Sequence, residues 1–169
     1  MAQFLYFGGV ERPNPSPEGN AWRSDFDLYA RWEAVEWLSV MAHVNAGFEP
    51  NQFGTSSWYA GAVYARVHPV SWFFASLRGD RFWEHVPSNG AGTAAPIFWG
   101  GAGWVSELTA SVEVKPSDSL AGFVEYRHDQ AESPSYFRGS VVGSGTPLAP
   151  FLANSKTQDT VTIGATTWF

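Results

Sequence analysis

The sequence lacks the features on which several protein classes depend. It has no cysteine, which excludes disulfide bonds and thiolate metal sites. It has no apolar run of about 18 residues, so it contains no candidate transmembrane helix. The opening segment MAQFLYFGG has no basic residue and no cleavage site, so we expect no signal peptide in this sequence.

Charge is also scarce, and the basic residues are of an unusual kind. Charged residues make up 15% of the chain, against about 25% in ordinary soluble domains. The net charge of −6 argues against a nucleic-acid partner, which would require a basic surface. Among ten basic residues only Lys115 and Lys156 are lysines. Arginine is preferred where a guanidinium pairs with carboxylates in a confined space.

What the sequence has instead is a two-residue alternation of apolar and polar side chains. In SDFDLYARWE (24–33), Phe26, Leu28 and Trp32 alternate with acids and Arg31. Such residues point to opposite faces of a β-strand. The pattern recurs throughout the chain and predicts one all-β domain over residues 1–169. Its eight predicted strands are 2–10, 20–32, 36–48, 56–67, 71–84, 98–114, 119–130 and 157–169.

The connections between these strands alternate in length. Short turns are predicted at 33–36, 68–70 and 115–119, and long loops at 11–19, 49–56, 84–97 and 129–157. Short turns at one end and long loops at the other are typical of an outer-membrane barrel.

Two closed barrels fit this alternation. A soluble, lipocalin-like ligand-binding barrel would turn its apolar face inward. An eight-stranded antiparallel up-and-down transmembrane β-barrel would turn that face to lipid and fill its lumen with charges, which must then be paired. Arginines and acids recur as near neighbours on the polar face. We therefore predict a lumen ion-pair network of Arg23, Asp25, Asp27, Arg31, Arg66, Arg78, Asp80, Glu107, Glu113, Glu125, Arg127 and Asp129.

Aromatic residues near the strand ends favour the membrane barrel. They resemble the two girdles that flank the apolar belt of such a barrel. The predicted membrane-interface residues are Trp22, Trp32, Trp37, Trp58, Trp72, Trp83 and Trp99. The last strand, ending in TIGATTWF, is similar to the C-terminal β-signal of outer-membrane proteins, with Thr162, Gly164 and Phe169 as its predicted signal residues.

Three segments resemble the OmpL-like β-barrel porins of Gram-negative outer membranes. They are VYARVHPVSWFFASLRGDRFWE (63–84), ELTASVEVKPSDSLAGFVEYRHDQAES (107–133) and the final QDTVTIGATTWF. These look like the family's strand–turn–strand units, with an aromatic-Arg-x-x-Pro turn and an E-Y-R-H-D strand. The resemblance implies an outer-membrane barrel and a porin-related function. Family members generally form larger barrels, whereas eight strands enclose an interior that side chains just fill.

The candidates for catalysis or metal binding are weaker. Asp80 and Glu125 could imitate an acid–base couple, but arginines on the same face favour ion pairs. His128 and Asp129 alternate faces within one strand, so they do not form a catalytic pair. The histidines His43, His68, His85 and His128 lack metal-ligand spacing. We predict no enzyme activity, no metal and no cofactor.

The resulting prediction is a bacterial outer-membrane protein with a porin-related or structural role. Its Arg, Asp and Glu pairs are predicted to plug the lumen and leave little or no conductance. A narrow passive pore for ions or small solutes and a soluble ligand-binding barrel are the alternatives. The expected partners are membrane lipid or detergent, and the outer-membrane assembly machinery through the C-terminal strand. We expect a monomer.

Overall fold

The computed structural model of the chain describes residues 1–12, 16–100, 102–139, 142–146, 148 and 150–168. No helix in these ranges is long and apolar enough to cross a membrane. The strands are β1 (Ala2–Val10), β2 (Trp22–Val35), β3 (Leu38–Asn51), β4 (Gly54–Val70), β5 (Phe73–His85), β6 (Ser88–Asn89), β7 (Gly92–Thr93), β8 (Trp104–Ser117), β9 (Leu120–Ala131) and β10 (Thr157–Thr167).

The eight long strands form one antiparallel sheet in the order β1-β2-β3-β4-β5-β8-β9-β10. Each long strand therefore pairs with the next long strand in the sequence, which confirms the predicted all-β, up-and-down topology. The strands β6 and β7 form a separate small hairpin that the sequence analysis did not anticipate.

The sheet is open, whereas a closed barrel was predicted. β1 and β10 lie entirely within the described residues, and no pairing joins them. An eight-stranded barrel has room for little more than one layer of side chains. The polar face carries bulky rings such as Trp58, Tyr64 and Phe82 in addition to its charges. The interior of a closed eight-stranded barrel would have to hold these rings together with the charges.

The three short turns lie later in the chain than predicted, because the strands that precede them are longer; β4 continues to Val70, so the turn predicted at 68–70 lies at 71–72 instead. Two-residue turns at 36–37, 71–72 and 118–119 join the strands, and the register shifts beside each turn. The predicted long loop at 49–56 is wrong, because β3 and β4 stay paired as far as Asn51 and Gly54. Asn51 Oδ1 accepts the N–H of Phe53 at 2.9 Å, and Gly54 has φ of +135°. The polar residues that suggested a loop close a hairpin instead.

Side chains alternate between the two faces of the sheet with the parity that the sequence predicts. On one face, the apolar face, large aliphatic residues are exposed: Leu28, Val44, Val63, Leu77, Leu108, Val124, Val161 and Ile163. The opposite face, the polar face, carries the arginines and acids, many of which are half-buried. A soluble barrel would bury its aliphatic residues. Their exposure on every long strand from β2 to β10 is the pattern of a lipid-facing surface.

Close packing on the polar face requires a glycine at position 47. Gly47 lies opposite Trp58 on the neighbouring strand, and the indole ring covers it. A Cβ atom at this position would overlap the ring and lie 2.6 Å from the carbonyl oxygen of Ser24. The buried Trp58 side chain is fixed by its Nε1–H, which donates to Asn45 Oδ1 at 2.9 Å.

We predict that Gly47→Ala lowers the free energy of unfolding by about 1–3 kcal/mol, because the new methyl group overpacks a fixed ring and a backbone carbonyl. Gly61→Ala is the matched control, since a Cβ there meets no atom within 4 Å. Urea unfolding of protein refolded in detergent measures both variants. Equal unfolding midpoints would contradict the packing described here.

Candidate functional site

All twelve residues of the predicted ion-pair network lie on the polar face, as the strand register shows. They do not form one continuous network. They divide into a central group, a group near the long loops and a group near the short turns, and some of their partners differ from those predicted.

The central group consists of two rows that run across the strands. The acidic row is Asp80, Glu107 and Asp129, which lie directly opposite one another on β5, β8 and β9. The arginine row lies two residues nearer the short turns than the acidic row. It consists of Arg31, Arg78 and Arg127, which share a single register line from β2 to β9. Like charges directly opposite each other destabilise a sheet. The acidic row therefore needs the neighbouring arginines.

Two arginines neutralise the acidic row by lateral contacts. Arg78 Nη2 lies 2.7 Å from Asp80 Oδ2, and its Nη1 lies 3.6 Å from Glu107 Oε1. Arg127 Nε lies 3.1 Å from Glu107 Oε2, and its Nη2 lies 2.8 Å from Asp129 Oδ1. Glu107 is thus held between two guanidinium groups. Each of these pairs joins residues of one strand or of adjacent strands, so the contacts run along the sheet.

The two rows differ in how much of each charge is exposed. The side chains of Arg31, Arg78 and Arg127 are 52%, 42% and 45% exposed. Those of Asp80, Glu107 and Asp129 are 19%, 11% and 2% exposed. Arg78 and Arg127 cover the three acids, so mainly guanidinium groups face the space above this part of the sheet. Arg31 pairs instead with Glu33, which is 59% exposed.

An open cavity of about 410 Å³ lies over these rows. Its walls include Arg31 of β2, Tyr64 of β4, Arg78 of β5, Glu107 of β8 and Arg127 of β9. Because residues from six of the long strands line it, the sheet must curve around its polar face. The site is therefore a concave, charged wall.

The group near the long loops pairs differently from the prediction. Arg23 was expected to pair with Asp25 or Asp27, two and four residues away on its own strand. Its Nη2 instead lies 2.8 Å from Oε2 of Glu49 on β3. Arg12, in the connection after β1, lies 2.8 Å from the other oxygen of the same carboxylate, and Glu49 is fully buried between the two arginines. The sequence analysis missed Glu49 because it ended the third strand at residue 48.

The two aspartates of this group bind neutral or weakly basic partners. Asn45 Nδ2 donates to Asp25 Oδ1 at 2.9 Å, and His43 Nε2 lies 2.7 Å from Asp27 Oδ2. Asn45 also accepts the hydrogen bond from Trp58. These five residues occupy the polar face of β2, β3 and β4 beneath the long loops.

Glu84 anchors a loop over the polar face. Its carboxylate accepts the backbone N–H of Phe98 at 3.2 Å and that of Trp99 at 2.8 Å. The Phe98 ring then packs edge-on against Trp58 and Phe82, with centroids 5.3 and 5.2 Å apart. Residues 98–100, 102 and 103, predicted as the start of a strand, are therefore part of this loop, and β8 begins at Trp104.

Near the short turns the charges are more exposed and less connected. Arg31 Nη2 lies 2.6 Å from Glu33 Oε1, and Arg66 Nη2 lies 3.4 Å from Glu113 Oε1. Within the described residues Glu125 has no cationic group within 4.0 Å, although it lines the cavity. Glu125 thus belongs to the polar face without belonging to an ion pair.

The predicted interface tryptophans lie in several environments. Trp22 and Trp32 are exposed on β2, Trp83 lies on the apolar face of β5, and Trp37 and Trp72 are exposed in turns. Trp58 was wrongly predicted at the interface, because its parity places it on the polar face, where it is buried. Trp99 is half-buried and packs against a buried cluster of Ala102, Val105, Ala131 and Tyr136. The sequence analysis missed Trp104, which pairs with Trp83 across the apolar face.

The predicted β-signal lies on an edge strand. Thr162 and Gly164 belong to β10, and the ring of Phe123 on β9 covers Gly164. Phe169 lies outside the described residues. His128 points away from Asp129, and its Nδ1 lies 2.8 Å from Asp159 Oδ1 instead. Among the residues that the structure describes, no group of three His, Asp or Glu side chains could hold a metal ion.

Outside the long strands, Glu18 joins two of the long connections. The hydroxyl of Ser16 and the N–H of Ala95 both donate to this buried carboxylate, the second at 2.6 Å. These hydrogen bonds, with that from Ser16 the stronger cause, lower the pKa of Glu18 below its usual value of 4.5. The folded protein therefore stabilises the ionised form of Glu18.

We predict that the stabilisation from Glu18 is complete above pH 4.5 and is lost as the pH falls through the lowered pKa of the folded protein. The chemical shift of the Ala95 amide in micelle-bound protein should report this titration, with a midpoint below 4.5. Glu18→Gln should abolish it. A midpoint at or above the usual value would show that the hydrogen bonds do not favour the carboxylate.

Arg78→Ala should lower the free energy of unfolding by about 1–3 kcal/mol, between the values for exposed and buried pairs. It leaves Asp80 and Glu107 with one cation fewer. Adding Asp80→Asn should recover part of the loss, because the two residues are coupled. Urea unfolding of the single and double variants measures the coupling. Strictly additive losses would show that this pair contributes nothing.

The comparison with protein-family models gave one finding. The model described as "Putative beta-barrel porin-2, OmpL-like" matches residues 1–169. No curated protein and no solved structure gave a significant match. The family match confirms the resemblance seen in three segments and extends it to the whole chain. With its up-and-down sheet, its exposed apolar face and its charged polar face, the chain belongs to the OmpL-like family of β-barrel porins.

Proposed function

We propose that this chain forms the wall of an outer-membrane β-barrel whose polar face lines a narrow, water-filled passage for small hydrophilic solutes, with a preference for anions. The arginine row is the observation that carries this proposal. The guanidinium groups of Arg31, Arg78 and Arg127 share one level of the sheet, and those of Arg78 and Arg127 are more exposed than the acids beside them. Rings of arginine or lysine are the usual lining of anion-conducting pores.

The direction of the ion pairs favours a passage over a plug. A plugged lumen needs charges that meet across the interior. In the central group, Arg78 and Arg127 contact acids on the same or the adjacent strand. These contacts lie along the wall and leave the cavity of about 410 Å³ open. The plugged, non-conducting barrel stays a prediction, and conductance measurements separate it from the passage proposed here.

Placement in the outer membrane is supported by the family and by the apolar face. The exposed aliphatic residues of the seven long strands from β2 to β10 form a belt that suits acyl chains. Barrels of this kind carry short turns on the periplasmic side and long loops outside. We therefore place the turns at 36–37, 71–72 and 118–119 in the periplasm. We also retain as a proposal that the assembly machinery recognises β10, a free edge strand, and that the protein is a monomer.

No enzymatic step is part of the proposal. His128 and Asp159 pair on the apolar face, and Tyr126 donates to the same carboxylate at 2.6 Å. All three side chains project from the face that we assign to the lipid boundary. This placement suits polar side chains at headgroup depth better than it suits a hydrolytic centre.

Planar bilayers test the proposal directly. We expect discrete conductance steps and, under a potassium chloride gradient, a zero-current potential whose sign indicates preferred chloride flow. Arg78→Gln and Arg127→Gln should each reduce that preference, since each removes one exposed positive charge and leaves the buried acids. The preference should also weaken at high salt, because the screening length falls from about 10 Å at 0.1 M to about 3 Å at 1 M.

Arg138→Gln is the matched control, because it removes one positive charge from an exposed loop residue. It should leave the zero-current potential unchanged. Absence of conductance in refolded protein that passes a heat-dependent gel-shift test would support the plugged barrel. Conductance that prefers cations would contradict the role given to the arginine row.

A further inference from the structure

Arg81 projects from the apolar face of the sheet, unlike the other arginines of the long strands. The arginines Arg23, Arg31, Arg66, Arg78 and Arg127 all project from the polar face. Arg81 lies opposite Gly61 and Ser106, which belong to the apolar face. Its side chain is exposed. A lone charge on a lipid-facing surface costs free energy unless it lies near the membrane boundary or has a partner.

Two tryptophans hold the Arg81 guanidinium in place. Arg81 Cζ lies 4.3 Å from the ring centroid of Trp104 and 5.0 Å from that of Trp83. Tyr59 stacks on Trp83 at 4.9 Å, so the aromatic surface extends over three strands. Among the described residues no carboxylate lies within 4.0 Å of Arg81. The cation is thus oriented by aromatic faces, which leave its hydrogen-bond donors unused.

The position of Arg81 matches the level of lipid headgroups on the loop side. The aromatic row of Tyr59, Trp83 and Trp104 lies two residues nearer the loops than Arg81. The aliphatic Leu77 lies four residues nearer the turns. On the neighbouring strand β8, Ser106 shares the register line of Arg81. Tryptophan and tyrosine rings favour this boundary between headgroups and acyl chains.

Two glycines leave an open notch beside the arginine. Gly61 faces Arg81 across the strand pair, and Gly79 lies two residues away on β5. A Cβ at either glycine would meet no atom within 4 Å. A slender group can therefore lie along the sheet directly below the guanidinium. An acyl chain beneath a phosphorylated headgroup has this shape.

We propose that Arg81, Trp83 and Trp104 form a binding site for the phosphate of a lipid headgroup in the loop-side leaflet. A guanidinium binds phosphate through paired, charge-assisted hydrogen bonds. The two rings fix its direction, and the glycine notch receives the chain. The site rests on the membrane placement given under Proposed function, but it does not depend on conductance. A lipid phosphate fits better than free phosphate, because apolar surface surrounds the cation.

Native mass spectrometry of the refolded protein in neutral detergent tests the site. Phosphatidic acid is the probe, diacylglycerol with the same chains is the control without phosphate, and inorganic phosphate is the competitor. We expect phosphatidic acid to bind and diacylglycerol not to bind. Arg81→Gln should weaken binding about tenfold, as expected for the loss of a charge-assisted pair. Gly61→Leu should also weaken it, although it leaves every charge in place.

Arg66→Gln is the matched control, because Arg66 lies 4.6 Å from the Phe74 ring but on the polar face. It should bind phosphatidic acid as the unmodified protein does. Binding unaffected by Arg81→Gln would overturn the site, as would displacement of the lipid by an equal concentration of inorganic phosphate. Lipid binding through Arg81 without any conductance would support the site while contradicting the pore, so the two proposals fail separately.

Discussion

The structure depends on one constraint, which is that a strand side chain has only two faces to choose from. In this chain the aliphatic residues take one face of every long strand from β2 to β10. With exceptions such as Arg81 and Asp159, the charged residues of the strands take the other face, at the short cross-strand distances of a sheet. Asp80, Glu107 and Asp129 then lie in direct register. Their mutual repulsion must be offset within the sheet itself.

Arginine meets this requirement in a way that lysine could not. One guanidinium has five donors in a planar fork and can serve two carboxylates at once. Arg78 and Arg127 both do so, and they share Glu107 between them. Their long side chains lie over the acids and keep their own charge toward the cavity. The same contacts that neutralise the acidic row therefore leave the guanidinium groups of Arg78 and Arg127 exposed at the cavity.

The sequence was enough to predict the face on which each charged side chain lies, but not the residue with which it pairs. A period of two assigns each residue to a face, and it placed all twelve charged residues of the network correctly on the polar face. Pairing depends on the register and on where strands end. The strand extension to Asn51 brings Glu49 to Arg23, and no local pattern signals it. Trp58 is a second example. Its place near a strand end suggested an interface residue, but the face on which it lies decides its environment, and that is the polar face.

Closure could not be predicted for a related reason. Alternation fixes the direction of side chains, but the curvature of a sheet depends on the total volume on its inner face. Trp58, Tyr64 and Phe82 add large rings to the charged residues there, and Phe98 is wedged among them by a loop. The alternation and the strand count do not contain this volume, so neither could predict whether the edges meet.

The free edges of the sheet then determine the size of any passage. In hydrocarbon the unpaired N–H and C=O groups along β1 and β10 would each cost several kcal/mol, so a membrane-embedded form must pair them. The two strands run antiparallel, because an even number of long strands alternates in direction. They can therefore pair with each other, or each can pair with a further strand of the appropriate direction. In either arrangement the arginine row lies on the inner face, and the partners of β1 and β10 set the width of the barrel.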